Sequence, residues 1–182
     1  ATNDRGLSHI SWLKKNFENV KDLKIDLSIV FENFKTALNS NNSEHGYANS
    51  QARLRMATLY QIAASNNGIV VGTGNKVEDF GIGFYTKYGD GGVDISPIAD
   101  CLKTEIWDMG KELMINQDII DAAPTDGLWT DGRSDEEQVG LSYTEIEEAM
   151  LNENSSNRNK YLEIRNNNVH KMDPIPVCIL PK

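Results

Sequence analysis

GIVVGTGNKVEDFGIGFYTKYGDGGVDISPI, residues 68–98, is the stretch whose reading decides the fold. It opens with Ile69, Val70 and Val71, an apolar run of the kind that makes a buried parallel strand. The run stops at Gly72-Thr73-Gly74-Asn75, and Glu78 follows on what reads as the first turn of a helix. A glycine-dense loop then carries Lys87, Asp90 and Asp94 among Gly81, Gly83, Gly89, Gly91 and Gly92. Glycines at that density let backbone approach a ligand closely and turn through positive φ. Acids and a lysine held among them suit a polar ligand and a metal.

Outward from this stretch, strands and helices are expected to alternate. Ile10, Leu13, Phe17 and Val20 recur at helical spacing, which predicts a helix over residues 8–20 with Ser8 as N-cap. Residues 23–27 alternate apolar and polar and read as a strand, and Phe31, Phe34 and Leu38 restore helical spacing. NSNNSEHGYANS, residues 39–50, reads as a loop by composition. A longer helix is expected from Ser50 to Ser65, with Arg53 and Tyr60 two turns apart on one face. Further on, Ile106, Met109 and Leu113 mark the inward face of a helix over residues 102–113, and residues 122–133 are irregular. Ser134 with Glu137, and Ser142 with Glu145, fit capping boxes, and one more helix is expected around Tyr161 and Ile164. The alternation gives an α/β architecture with a parallel sheet, in which ligands sit at the carboxyl ends of strands, where Gly72-Thr73-Gly74 lies.

Composition bounds the function. With 182 residues, 39% of them hydrophobic, the chain can bury one core and reads as a single domain over residues 1–182. A net charge of −9 argues against the basic face that nucleic acid requires. No apolar run reaches the length of a membrane span, and Cys101 and Cys178 suggest neither a disulfide framework nor a zinc site. The expectation is a soluble protein of a reducing cytoplasm. Gly72-Thr73-Gly74 lacks the third glycine of a dinucleotide fingerprint, Val77 standing in its place, and no GxxxxGK or GxSxG sequence is present. Arg53 and Arg55 read alone would be a solvated helix face. Read without further context, the residues support a polar site for an anion and a metal in an α/β fold.

The combination is more specific. NSQARLRMATLY (49–60), VVGTGNKVEDF (70–80), GFYTKYGDGGVDISPIADCLKTEIW (83–107), AAPTDGLW (122–129) and DEEQVGLSY (135–143) occur in the order and spacing of the ammonia-dependent NAD synthetases. The chain resembles the bacterial type of that family. The resemblance implies a Rossmann-like parallel sheet flanked by helices, of the adenine nucleotide α-hydrolase-like or ATP-pyrophosphatase class. It implies a homodimeric ligase that makes NAD from deamido-NAD, ATP and ammonia through an adenylated nicotinate, with Mg2+ required. By position in the motifs, Thr73, Thr125 and Lys103 correspond to ATP-binding residues and Glu78 to the magnesium ligand. Arg53, Lys87, Asp94, His170 and Lys171 correspond to deamido-NAD-binding residues, and Tyr60 is assigned to the same site. Asp90 and Lys103 are the expected catalytic residues, Asp90 orienting or deprotonating ammonium. The family's first strand and SGGxDS pyrophosphate loop have no counterpart in the 182 residues. The chain is therefore expected to be the C-terminal two-thirds or so of a longer enzyme. Two alternatives stay open: another amidating ATP pyrophosphatase, or an inactive nucleotide-binding fragment.

Overall fold

The computed structural model describes residues 2–129 and 131–181, with side chains from residue 4 onward. Its elements in chain order are α1 (Thr2–Asn16), α2 (Ser28–Leu38), α3 (Glu44–Ser65), a π-helical segment (Lys76–Ile82), α4 (Lys103–Glu112), α5 (Gln117–Ile120), α6 (Asp135–Val139), α7 (Tyr143–Leu151) and α8 (Arg158–Met172).

The core forms where the π-helical segment meets α7 and α8. Val77, Ile82, Leu141, Tyr143, Ile146, Ala149 and Tyr161 are buried together, and Trp107 and Phe84 pack against them. Two capping boxes set the approach of α6 and α7. Ser134 Oγ accepts from Glu137 N while Glu137 accepts from Ser134 N, and Ser142 and Glu145 repeat the arrangement. Both follow from the i, i+3 pattern alone.

The sheet is reduced. Among the described residues the extended chain pairs at one parallel bridge, Val71 with Ile95, supported by Gly72 N donating to Ile95 O and Asp94 N to Val70 O. Val70 is buried, but Ile69 and Val71 are 59% and 52% exposed, so the expected fully buried strand is covered on one face only. A parallel strand is buried on both faces when helices cover both, and here the face of Ile69 and Val71 stays open. Residues 23–27 form no strand either, and Leu23 is 68% exposed. The alternation there has no partner to pair with.

Several helix limits also shift. α1 begins six residues before Ser8 and ends before Val20. Most of the expected loop 39–50 is helical, because Ser43 caps α3 by accepting from Gly46 N at 3.2 Å. In α4 Trp107 packs inward, edge-on to Tyr143 at 6.0 Å, and Ile106 is half-buried as expected, whereas Met109 and Leu113 are exposed. No helix among the described residues is long and apolar enough to cross a membrane.

Candidate functional site

Asn75 sets the site geometry. Its side chain is 1% exposed, and its Oδ1 accepts from Val77 N and Glu78 N, both at 3.0 Å. This cap starts the π-helical turn and fixes Glu78 one turn inside it. Such turns are rare and concentrate at functional sites. Lys103 arrives from the start of α4, whose first turn is anchored by the buried Glu147, which accepts from Thr104 N at 3.0 Å and Thr104 Oγ1 at 2.8 Å.

Lys103 Nζ then meets Glu78 Oε1 at 2.7 Å, with both side chains 17% exposed. Tyr143 adds a second contact to the same oxygen, its hydroxyl 2.6 Å away, and the Lys103 ammonium rests 4.8 Å from the centre of the Tyr143 ring. The Tyr143 hydroxyl also lies 3.2 Å from Asp135 Oδ2. Burial, followed by the Glu78 charge, pushes the Tyr143 phenol far above its ordinary range, so it is neutral and keeps its proton.

A cavity of about 570 Å³ opens beside this group, lined by Thr73, Glu78, Lys103, Asp90, Thr125 and Asp135 among others. Its residues come from four separate stretches of sequence. Asp90 Oδ1 accepts from Thr86 N at 2.9 Å, and crowding by the surrounding chain pushes the carboxyl above its ordinary range although it opens to solvent. Asp126 is fully braced, accepting from Leu128 N, Trp129 Nε1 and Gln138 Nε2. Asp135 is buried, and its Oδ1 has no hydrogen-bond partner among the described residues. Glu78 and Asp135 are hard oxygen donors beside a lysine, and such a set fits a magnesium ion that also takes phosphate oxygens. No cluster of three or more metal-ligating side chains occurs among the described residues.

The other expected residues lie around the rim. Tyr60 donates to Asp94 Oδ1 at 3.3 Å, while Asp94 Oδ2 accepts from Val70 N at 2.7 Å. Arg53 Nε reaches the Lys87 carbonyl at 3.3 Å, and Lys87 Nζ reaches the His170 carbonyl at 2.6 Å. Lys171 lines an adjoining cavity of about 240 Å³ that shares Asp90 and Asp126 with the first. It donates to the carbonyls of Gly83 and Tyr85 at 2.8 and 2.9 Å, and burial holds its ammonium below the usual lysine range. Arg53, Tyr60, Lys87, Asp94 and His170 are not among the residues lining either cavity. Sequence reasoning did not single out Asp135, which lines the larger cavity, or Tyr143, which bonds to Glu78; Arg55 is exposed, as a solvated helix face requires, and it borders the same cavity. Tyr143 closes a quoted motif, which was the available signal.

Residues 2–175 match the NAD synthase family. The chain belongs to that family. Among relatives, the NH(3)-dependent NAD(+) synthetase of Methanococcoides burtonii is 42% identical over 128 residues, 69% of this chain and 48% of that protein. Those of Mesoplasma florum and Carboxydothermus hydrogenoformans are 39% and 47% identical, over 74% and 57% of this chain and 55% and 42% of those proteins. The chain thus spans about half the length of the curated relatives it matches. Among solved structures, the NMN synthetase of Francisella tularensis superposes with a TM-score of 0.86 at 32% identity, covering 98% of this chain and 71% of that one. The NH3-dependent NAD synthetase of Campylobacter jejuni in complex with nitrate gives 0.64 at 24% identity over 85% and 64%, a likeness of fold alone. These neighbours are consistent with the adenine nucleotide α-hydrolase fold.

Proposed function

We propose that the protein to which these residues belong is a carbon–nitrogen ligase that makes NAD from deamido-NAD, ATP and ammonia. One observation carries the reading: Lys103 and Glu78, the latter held from behind by the buried Tyr143, meet on the wall of a cavity that Thr73, Asp90 and Thr125 also line. A carboxylate is a poor electrophile, so the nicotinate carboxylate first attacks the α-phosphorus of ATP. Pyrophosphate leaves, ammonia attacks the adenylated carbonyl, and AMP leaves.

Each residue has a task in that sequence. Lys103 offsets phosphate charge, and Thr73 and Thr125 supply hydroxyls to ATP. Asp90 accepts a proton from ammonium or orients it. Arg53, Tyr60, Lys87, Asp94, His170 and Lys171 bind deamido-NAD along the rim. Glu78 would hold magnesium, which when bound withdraws charge from phosphate oxygens. The reading includes a homodimer with Arg53 and Tyr60 near the subunit interface, a cytoplasmic location, and one domain over residues 1–182. Val71 and Ile95 would belong to neighbouring strands of the parallel sheet.

A second reading has one observation in its favour, the TM-score of 0.86 to an NMN synthetase. In it the same amidation acts on the mononucleotide. The 39–47% identities to NAD(+) synthetases favour the first reading. The test offers the full-length enzyme each acid with ATP, ammonium and magnesium, and separates the products by chromatography. NAD and AMP in equal amounts are expected. NMN in preference to NAD would favour the second reading, and formation of neither would end both.

A further inference from the structure

Asp135 is 8% exposed and lines the large cavity, yet no donor is devoted to its carboxylate. Oδ1 has no partner among the described residues. Oδ2 lies 3.2 Å from the Tyr143 hydroxyl, but that hydroxyl has a single proton and sits 2.6 Å from Glu78 Oε1. The shorter contact takes the proton, and Asp135 is left facing an oxygen lone pair. Lys103, the nearest ammonium on the wall, is committed to Glu78 at 2.7 Å.

A buried carboxylate in that condition is costly unless something positive meets it. A purely architectural acid would be arranged otherwise. Glu147, also buried, has both oxygens satisfied by Thr104, and Asp126 has three donors. Asp135 differs from both, and its unsatisfied oxygen belongs to a residue of the cavity wall.

We propose that Asp135 is a second carboxylate ligand, alongside Glu78, for the divalent cation of this site. Magnesium is commonly held by one or two carboxylates with the rest of its shell from water and phosphate, so a two-carboxylate seat suffices where no cluster of three exists. Asp135 is the first residue of α6, following the irregular segment that carries Thr125, and its N–H donates to the Pro124 carbonyl at 3.0 Å. A cation shared by Glu78 and Asp135 would therefore tie that segment to the π-helical turn. The inference deepens the proposed reading, because magnesium is the cation that reading requires.

The test uses terbium(III) as probe on the 182-residue chain, with Tyr143 beside the seat as the sensitiser. Saturable emission that magnesium displaces is expected. D135N should weaken terbium binding by about tenfold or more, at least the loss that removing an outer partner of a metal site brings. Y143F should dim the sensitised emission, and D108N, at an exposed aspartate paired with Lys111, should change neither. Melting in EDTA gives an independent readout: D135N should melt at or above the wild-type temperature, since an unpaired buried charge has gone. Unchanged terbium affinity in D135N, no saturable emission from the wild type, or a D135N chain that melts lower or fails to fold would each overturn the inference. If these results hold while the full-length enzyme forms no NAD, the functional reading alone falls. If NAD forms but D135N binds terbium normally, only the cation seat is lost.

Discussion

Gly74 lies against the carboxyl of Asp79 so closely that a β-carbon at residue 74 would stand 1.9 Å from Asp79 Oδ2. The glycine in GTGN is thus demanded by a neighbour five residues on. A β-carbon at residue 74 would therefore push the Asp79 carboxyl out of the half-buried position it holds on the turn that Asn75 caps. G74A should destabilise the chain by ~1–3 kcal/mol, the usual cost of overpacking a filled site. Paired with D79A, which removes the obstruction, the penalty should shrink. Denaturant melts of the two single variants and the double variant measure this; additive effects would mean that the contact does not govern the cost.

Asp79 also gives a pH dependence. Burial first, then the charges of Glu78 and Asp90, push its carboxyl up to about 7 from an ordinary value of 3.8. Between those values the folded chain holds a proton that the unfolded chain has released. Stability from this group is therefore fully present below about pH 4 and declines as pH rises toward 7. D79N removes that decline. At pH 8 it should be more stable than wild type by ~1–2 kcal/mol, well under the full conversion of such a shift because the side chain keeps some contact with solvent. The difference between the two chains should vanish at pH 4. A constant difference across the range would show that Asp79 titrates normally.

Local rules were legible in the sequence and long-range ones were not. The boxes at Ser134 and Ser142 are complete within four residues, so reading them needed no tertiary knowledge. The α3 start escaped because asparagine, serine and glycine suit a loop as well as a helix entry, and the Ser43 cap is a single weak cue. Burial of Ile69 and Val71 was expected from their apolarity, but the face they share stays uncovered, which no property of those residues reveals. Glu78, Lys103, Thr73, Asp90 and Thr125 were legible through motif order, and they line one cavity. Asp135 was not singled out, since its burial and its place on the cavity wall are set by the fold and not by its neighbours in sequence.

Gly83 closes the π-helical segment with φ of +64°, and a β-carbon there would lie 2.6 Å from Asn168 Cβ. Backbone conformation and packing against α8 both demand glycine. The Lys171 ammonium holds the Gly83 carbonyl from the same helix. G83A should cost ~1–2 kcal/mol for the left-handed backbone alone, and the clash should loosen α8. Faster proteolysis within residues 158–172, with α1 cleaved at the wild-type rate, is the expected result. Uniform cleavage along the chain would mean that the change acts globally.

Glu78 is the residue on which the proposed chemistry depends most. E78Q keeps the shape and removes one charge, leaving the half-buried Lys103 with the Tyr143 ring as its remaining close partner in the group. Two consequences separate a working site from a structural ion pair. If the pair only holds α4 to the π-helical turn, E78Q lowers the melting temperature but, below it, leaves turnover near wild type. If Glu78 holds the cation beside ATP, turnover of the full-length enzyme should fall by about a hundredfold or more, as expected where a metal neutralises transition-state charge. The magnesium concentration for half-maximal rate should rise as well. Rates measured across a magnesium titration, at a temperature where circular dichroism shows E78Q folded, decide between the two. A folded E78Q enzyme with normal turnover and normal magnesium response would remove Glu78 from the mechanism and leave Lys103 as an anchor of α4.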